Sequence, residues 1–171
     1  MPARPAATTA AAKPRASRLA GIQRGRLKTP LRYLFYSPEG IGKSTLAADA
    51  PNPIFLDVEG GSPELHVSRY PFRDGPGGHV PRVYDDVLSA VDDLRDNPGH
   101  GYETLVVDTA DALEALIHAH ICKANSKANV EAFGYGKGYK VAATELRVFL
   151  SRLEALQGQG MAIVVLAHSL V

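Results

Sequence analysis

The residues from Ser37 to Thr45, Ser-Pro-Glu-Gly-Ile-Gly-Lys-Ser-Thr, are the first whose types and spacing point to chemistry. Gly40 and Gly42 let the backbone curl until its N–H groups converge on an anion. A lysine and two hydroxyls follow at once, at the start of a helix-forming run, where unpaired amides and the helix dipole add to the attraction. At this spacing Lys43 would reach the β- and γ-phosphates of ATP, and the Ser44 hydroxyl would ligate Mg²⁺. Ser37, Pro38, Glu39, Gly40, Ile41, Gly42, Lys43, Ser44 and Thr45 are therefore the candidate nucleotide-binding residues. The pattern G-x-x-x-x-G-K-[ST] is met except at its first glycine, where Ser37 stands. A chance Gly-rich turn before a helix is the plain alternative, and the apolar run Tyr33–Tyr36 just upstream argues against it.

Three more polar residues each close an apolar run. Asp108 ends Leu-Val-Val-Asp, the form of a second nucleotide motif whose carboxylate holds Mg²⁺, so Ser44 and Asp108 are the candidate metal residues. Glu59 follows Ile-Phe-Leu-Asp-Val, where a carboxylate would orient or deprotonate a water attacking the γ-phosphate; the plain alternative is a turn carboxylate. His168 follows Ala-Ile-Val-Val-Leu-Ala and would hydrogen-bond the γ-phosphate or its water, unless it is only a polar strand end. Lys43, Glu59 and His168 form the candidate catalytic set. His118, His120 and Cys122 do not add a metal site, because at helical spacing only His118 and Cys122 share a face.

Such residues need a scaffold that gathers them. Apolar runs predict strands at 32–36, 54–58, 104–108 and 162–167. Helical periodicity predicts helices from the phosphate loop to Asp49, over Tyr84–Asp96 (Val87, Ala90, Val91 and Leu94 inward), over Ala110–Lys123 (Leu113, Leu116, Ile117 and Ile121 inward) and over Tyr139–Leu156 (Leu146, Phe149, Leu150 and Leu153 inward). Residues 62–81 and 124–138 read as loops. Strands alternating with helices predict an α/β fold with a parallel sheet and flanking helices, in which ligands sit beyond the carboxyl ends of the strands. The phosphate loop, Glu59, Asp108 and His168 all fall at those ends.

Composition agrees with one globular domain: 171 residues, 45% hydrophobic and 22% charged, with no apolar run of membrane-spanning length. The one cysteine excludes an internal disulfide and suits a reducing compartment such as the cytoplasm. The net charge of +1 hides an asymmetry, since seven of the 19 basic residues lie in the acid-free residues 1–30. Residues 1–28 read as a disordered basic arm suited to an anionic partner, and 29–171 as the folded domain. The stretch Phe-Gly-Tyr-Gly-Lys-Gly-Tyr-Lys at 133–140 joins mobile glycines to aromatics and lysines, which would suit single-stranded nucleic acid; Tyr135, Lys137, Tyr139 and Lys140 are its candidate contacts, against the alternative of a flexible connector.

Taken together, YSPEGIGKST, FLDVEGG, TLVVDTADAL and AIVVLAHS, with FGYGKGY before the last, resemble the phage-encoded RecA-like P-loop ATPases of single-strand annealing and recombination. The resemblance spans about Leu31–Ser169. It implies an AAA/RecA-like ATPase that binds ATP and Mg²⁺, with Glu59 as catalytic base and His168 as γ-phosphate sensor. It implies that the fourth strand lies between the first and third, and that residues 128–139 correspond to a first DNA-binding loop. It also implies single-stranded DNA as a partner, ring or filament self-association, a single-strand-binding protein as a further partner, and a bacterial host cytoplasm. Against that family the sheet reads as truncated after its fourth core strand, so the sequence resembles the N-terminal part of a longer protein or a natural truncation. Two other functions fit the same motifs: a nucleotide-binding interaction module without turnover, and a small-molecule phosphotransferase using Arg69 and Arg73 of the 62–81 loop.

Overall fold

The computed structural model describes Gly21, Arg24 and residues 29–169; the basic arm, apart from those two residues, lies outside the described part, as do Leu170 and Val171. Five strands form one all-parallel sheet: β1 (Arg32–Ser37), β2 (Pro53–Asp57), β3 (Ser68–Arg69), β4 (Thr104–Asp108) and β5 (Ala162–His168). Their order is β1-β5-β4-β2-β3, so the last strand in the chain sits between the first and the fourth, as the resemblance implies. The helices α1 (Lys43–Ala48), α2 (Tyr84–Asp96), α3 (Ala110–Ala124) and α4 (Lys137–Gly158) flank it.

Alternation divides the core between the two faces of the sheet. Ile54, Leu56, Leu105, Val107 and Ile163 pack under α2, α3 and α4. Phe55, Val106, Val164 and Leu166 form a smaller cluster with Ala47 of α1. Strand β4 is buried at every position, which explains its unbroken apolar sequence. At the edge, β1 pairs with β5 and leaves Tyr33, Leu34 and Tyr36 exposed. No helix among the described residues is long and apolar enough to cross a membrane.

The inward faces of α2 and α3 hold as expected, with Leu116 only partly buried. Three features differ from expectation. Ser68 and Arg69, inside the 62–81 segment, pair with Ile54 and Phe55 as a fifth strand, too short and polar to show alternation. Helix α4 begins at Lys137 instead of Tyr139. Gly136 starts it in the left-handed region (φ 67°), and Gly138 packs so close to Val130 that a Cβ would collide with its carbonyl. Leu146, expected inward, is 41% exposed at the groove between α3 and α4.

This packing separates two positions on α4. Phe149→Ala is expected to cost about 3–5 kcal/mol in chemical unfolding, and Leu146→Ala less than about 1 kcal/mol.

Candidate functional site

Register alone brings the strand ends together. Ser37 pairs with His168, Asp57 with Asp108, and Asp108 with Leu166. Beyond them lies a cleft of about 340 Å³, into which the phosphate loop, Glu59, Asp108 and His168 all open. Gly40 and Gly42 have φ of 79° and 92° with open space where a Cβ would stand, so it is the backbone conformation that calls for glycine there. Ser37 needs no such freedom: it is the last residue of β1, in extended pairing with β5. Pro38, Glu39, Ile41 and Thr45 are exposed, and Ser44 is half-buried. The first helical bond of α1 runs from Leu46 N–H to Gly42 C=O, which leaves the amides of Lys43, Ser44 and Thr45 without an intrahelical acceptor.

Lys43 is 8% exposed. Its Nζ donates to the carbonyls of Ser37 (3.0 Å) and Pro38 (2.9 Å) and lies 3.3 Å from His168 Nδ1. An ammonium offers only donors, so Nδ1 must accept and the neutral imidazole carries its proton on Nε2. That nitrogen faces Glu59 Oε2 at 3.3 Å. The same oxygen accepts the Thr109 hydroxyl at 3.0 Å. Thr109 also accepts from Ala112 N–H and so caps α3. The His168 N–H donates to Asp111 Oδ2 at 2.7 Å, which ties the end of β5 to α3. A continuous hydrogen-bonded chain thus runs from Lys43 through His168 to Glu59 and Thr109.

The carboxylates behind this chain are deeply placed. Asp108 is 4% exposed and accepts the Ser62 hydroxyl at 3.0 Å. Burial pushes its carboxyl above the usual carboxylate range; the hydroxyls of Ser44 and Ser62 pull it down, and the charges of Asp57 and Glu59 push it up. Asp57, also buried, accepts from Gly60 N–H at 2.7 Å and has Arg69 Nε at 3.4 Å and His79 Nε2 at 3.6 Å. Arg69 donates in turn to the carbonyls of Ser62 and Leu65. Asp57 and Arg69 therefore fix the loop that delivers Ser62 to Asp108. Half-buried Ser44 and buried Asp108 present hard oxygen donors, a set that fits Mg²⁺.

Sequence reasoning did not single out Ser62 or Asp57 and gave Thr109 and Asp111 no part in the site. A charged residue inside the buried run Ile54–Val58 was the available signal for Asp57. The proposed nucleic-acid contacts are not all on a loop, since Lys137, Tyr139 and Lys140 fall in the first turn of α4. Tyr135 is fully exposed, with φ 48°, whereas the Tyr139 hydroxyl donates to Glu131 Oε1 at 2.7 Å. His118 meets Glu114 and the Tyr139 ring, His120 meets Asp85, and Cys122 is buried; among the described residues no such cluster could hold a metal ion.

The Asp108 arrangement carries a stability cost with a definite sign. Its raised folded-state pKa means that the cost is absent below the ordinary carboxylate range, grows as pH rises, and is complete above the raised value. Asp108→Asn is therefore expected to raise the melting temperature of the ligand-free protein at neutral pH, and the gain over wild type should vanish in acid.

No curated protein matches the chain. A family model described as AAA domain matches residues 29–171, which include every strand and helix of the fold and every residue of the cleft. With a parallel sheet, a glycine loop leading into a lysine-headed helix, and an acid at the end of a buried neighbouring strand, the chain belongs to the AAA-domain family of P-loop, nucleotide-binding ATPases.

Proposed function

We propose that the chain is a Mg²⁺-dependent, RecA-like ATPase that acts on single-stranded DNA in phage recombination or annealing. The observation that carries the ATPase reading is the chain Lys43–His168–Glu59 across the mouth of the phosphate loop. Lys43 would exchange its bonds to the Ser37 and Pro38 carbonyls for phosphate oxygens. Glu59 Oε2 is taken by Thr109 and His168, and Oε1 has no hydrogen-bond partner among the described residues. Oε1 is therefore the atom to receive the proton of the attacking water. His168 would report the γ-phosphate to β5 through its bond to Lys43. Ser44 and Asp108 would hold Mg²⁺, which when bound neutralises charge developing on the phosphates.

The DNA reading draws on the sequence blocks and on the exposure of Tyr135, Lys137 and Lys140, where a base can stack and phosphates be neutralised. Ring or filament self-association and a single-strand-binding protein as partner belong to the same reading. A phosphotransferase lid is disfavoured, because both arginines it would use serve their own loop: Arg69 through Asp57, and Arg73 through the carbonyls of Val80 and Gly77.

Steady-state hydrolysis and ATP binding, with and without single-stranded DNA, test this. Lys43→Ala should weaken ATP binding about 100-fold or more, because a charge-assisted contact is lost. Glu59→Gln should lower kcat about 10²–10⁴-fold while ATP still binds. Undiminished turnover by Glu59→Gln would overturn the assignment of the base. DNA should stimulate the wild type, and Tyr135→Ala with Lys137→Ala should reduce the stimulation; no stimulation would remove the DNA part. Saturable binding without turnover would make the protein a nucleotide-dependent interaction module.

A further inference from the structure

We infer that Thr109 is a positioning residue for Glu59: its hydroxyl fixes one carboxylate oxygen so that the other faces the cleft. The inference rests on the reading of Glu59 as the base.

A threonine hydroxyl has one proton and two lone pairs. At Thr109 a lone pair accepts Ala112 N–H at 3.4 Å, which caps α3 and leaves the proton free. Glu59 Oε2 stands 3.0 Å away to receive it. Thr109 is 2% exposed, so water does not compete for that proton. Its β-branched side chain is restricted at χ1, and one rotamer serves both bonds.

The carboxylate is held from several sides. The backbone N–H groups of Val58 and Glu59 both donate to Asp108 C=O, at 2.7 and 3.1 Å, which seats the start of the Glu59 loop on the end of β4. Thr109, the next residue of that chain, then reaches Glu59 at the side-chain end. His168 approaches the same oxygen from β5. Glutamate is a flexible side chain whose ordering costs rotamer entropy. Two donors on Oε2, from the start of α3 and the end of β5, settle that cost before substrate arrives and leave Oε1 pointing free. A threonine needed only as a cap would be replaceable by any residue that suits the N-cap, glycine included, with little effect. One that also orients Glu59 is replaceable only by another hydroxyl.

The test compares Thr109→Val, Thr109→Gly and Thr109→Ser, each alone and combined with Glu59→Gln, in ATP binding and single-turnover hydrolysis. Loss of orientation should lower the hydrolysis rate of Thr109→Val and Thr109→Gly about 10–100-fold, with ATP affinity within about threefold. Thr109→Ser should stay within about threefold of wild type, because both bonds are kept. In the Glu59→Gln background Thr109→Gly should add no further loss, since both substitutions act on one group. Should Thr109→Val fail to fold, Thr109→Gly carries the comparison, because glycine is well tolerated at an N-cap. A Thr109→Gly rate equal to wild type, a loss in affinity instead of rate, or losses that multiply with Glu59→Gln would overturn the inference. Normal turnover by Glu59→Gln alone would remove the underlying reading of the base, and with it the inference; an inactive Glu59→Gln beside a fully active Thr109→Gly would overturn only the role of Thr109.

Discussion

The insertion of β5 between β1 and β4 is the constraint on which the rest of the structure depends. It separates β1 from the strands that follow it in sequence, and a crevice opens at their carboxyl ends where the order reverses. Because every pairing is parallel, all five strands deliver their last residues to that one side. His168 therefore arrives between the phosphate loop after β1 and the carboxylates after β2 and β4. Lys43, His168 and Glu59 are already in contact there. The central strands β2, β4 and β5 are largely buried, under α2–α4 on one face and against α1 on the other, so the positions of their ends are fixed by the core.

The site is assembled against its own electrostatics. Asp57, Glu59 and Asp108 stand close enough that the first two raise the pKa of the third. Asp57 and Asp108 are buried, and carboxylates buried in this way cost stability unless donors and cations answer them; Glu59 is exposed but shares the cluster. The Gly60 amide and Arg69 answer Asp57, Ser62 answers Asp108, and Thr109 and His168 answer Glu59. Lys43 has the converse problem, a buried ammonium, met by two carbonyls of its own loop. These bonds keep the loop in shape, and they are bonds a phosphate can replace. What remains unanswered at Asp108 is the residual that a cation bound there would remove, so the stability cost is located at the proposed Mg²⁺ site.

Much of this was legible in the residues. Long apolar runs announced β4 and β5, helical periodicity announced α2 and α3, and the break from apolar to polar located Asp108, Glu59 and His168 at strand ends. The strand order came through resemblance, because no periodicity encodes which strands are neighbours. Other features escaped for physical reasons. A two-residue strand of Ser68 and Arg69 has no pattern to read. The start of α4 lies in a glycine-rich stretch whose helicity depends on a left-handed Gly136 and on Gly138 nestling against Val130. Leu146 fits the helical stripe but lies at an open groove between α3 and α4, which periodicity cannot show. The bond from Ser62 to Asp108 joins residues 46 positions apart, and the double duty of Thr109 exists only once β2 and β4 are side by side.

The central claim is that the cleft at the strand ends is a nucleotide site with Glu59 poised at its mouth. A crystal structure of the protein with Mg²⁺ and a non-hydrolysable ATP analogue tests it most directly. The account predicts the phosphates in the 37–45 loop, Lys43 Nζ moved from the Ser37 and Pro38 carbonyls onto phosphate oxygens, and Mg²⁺ between Ser44 and Asp108. It also predicts that Glu59 Oε2 stays on Thr109 while Oε1 faces the γ-phosphate. An analogue bound elsewhere, with Lys43 still on its two carbonyls, would contradict it.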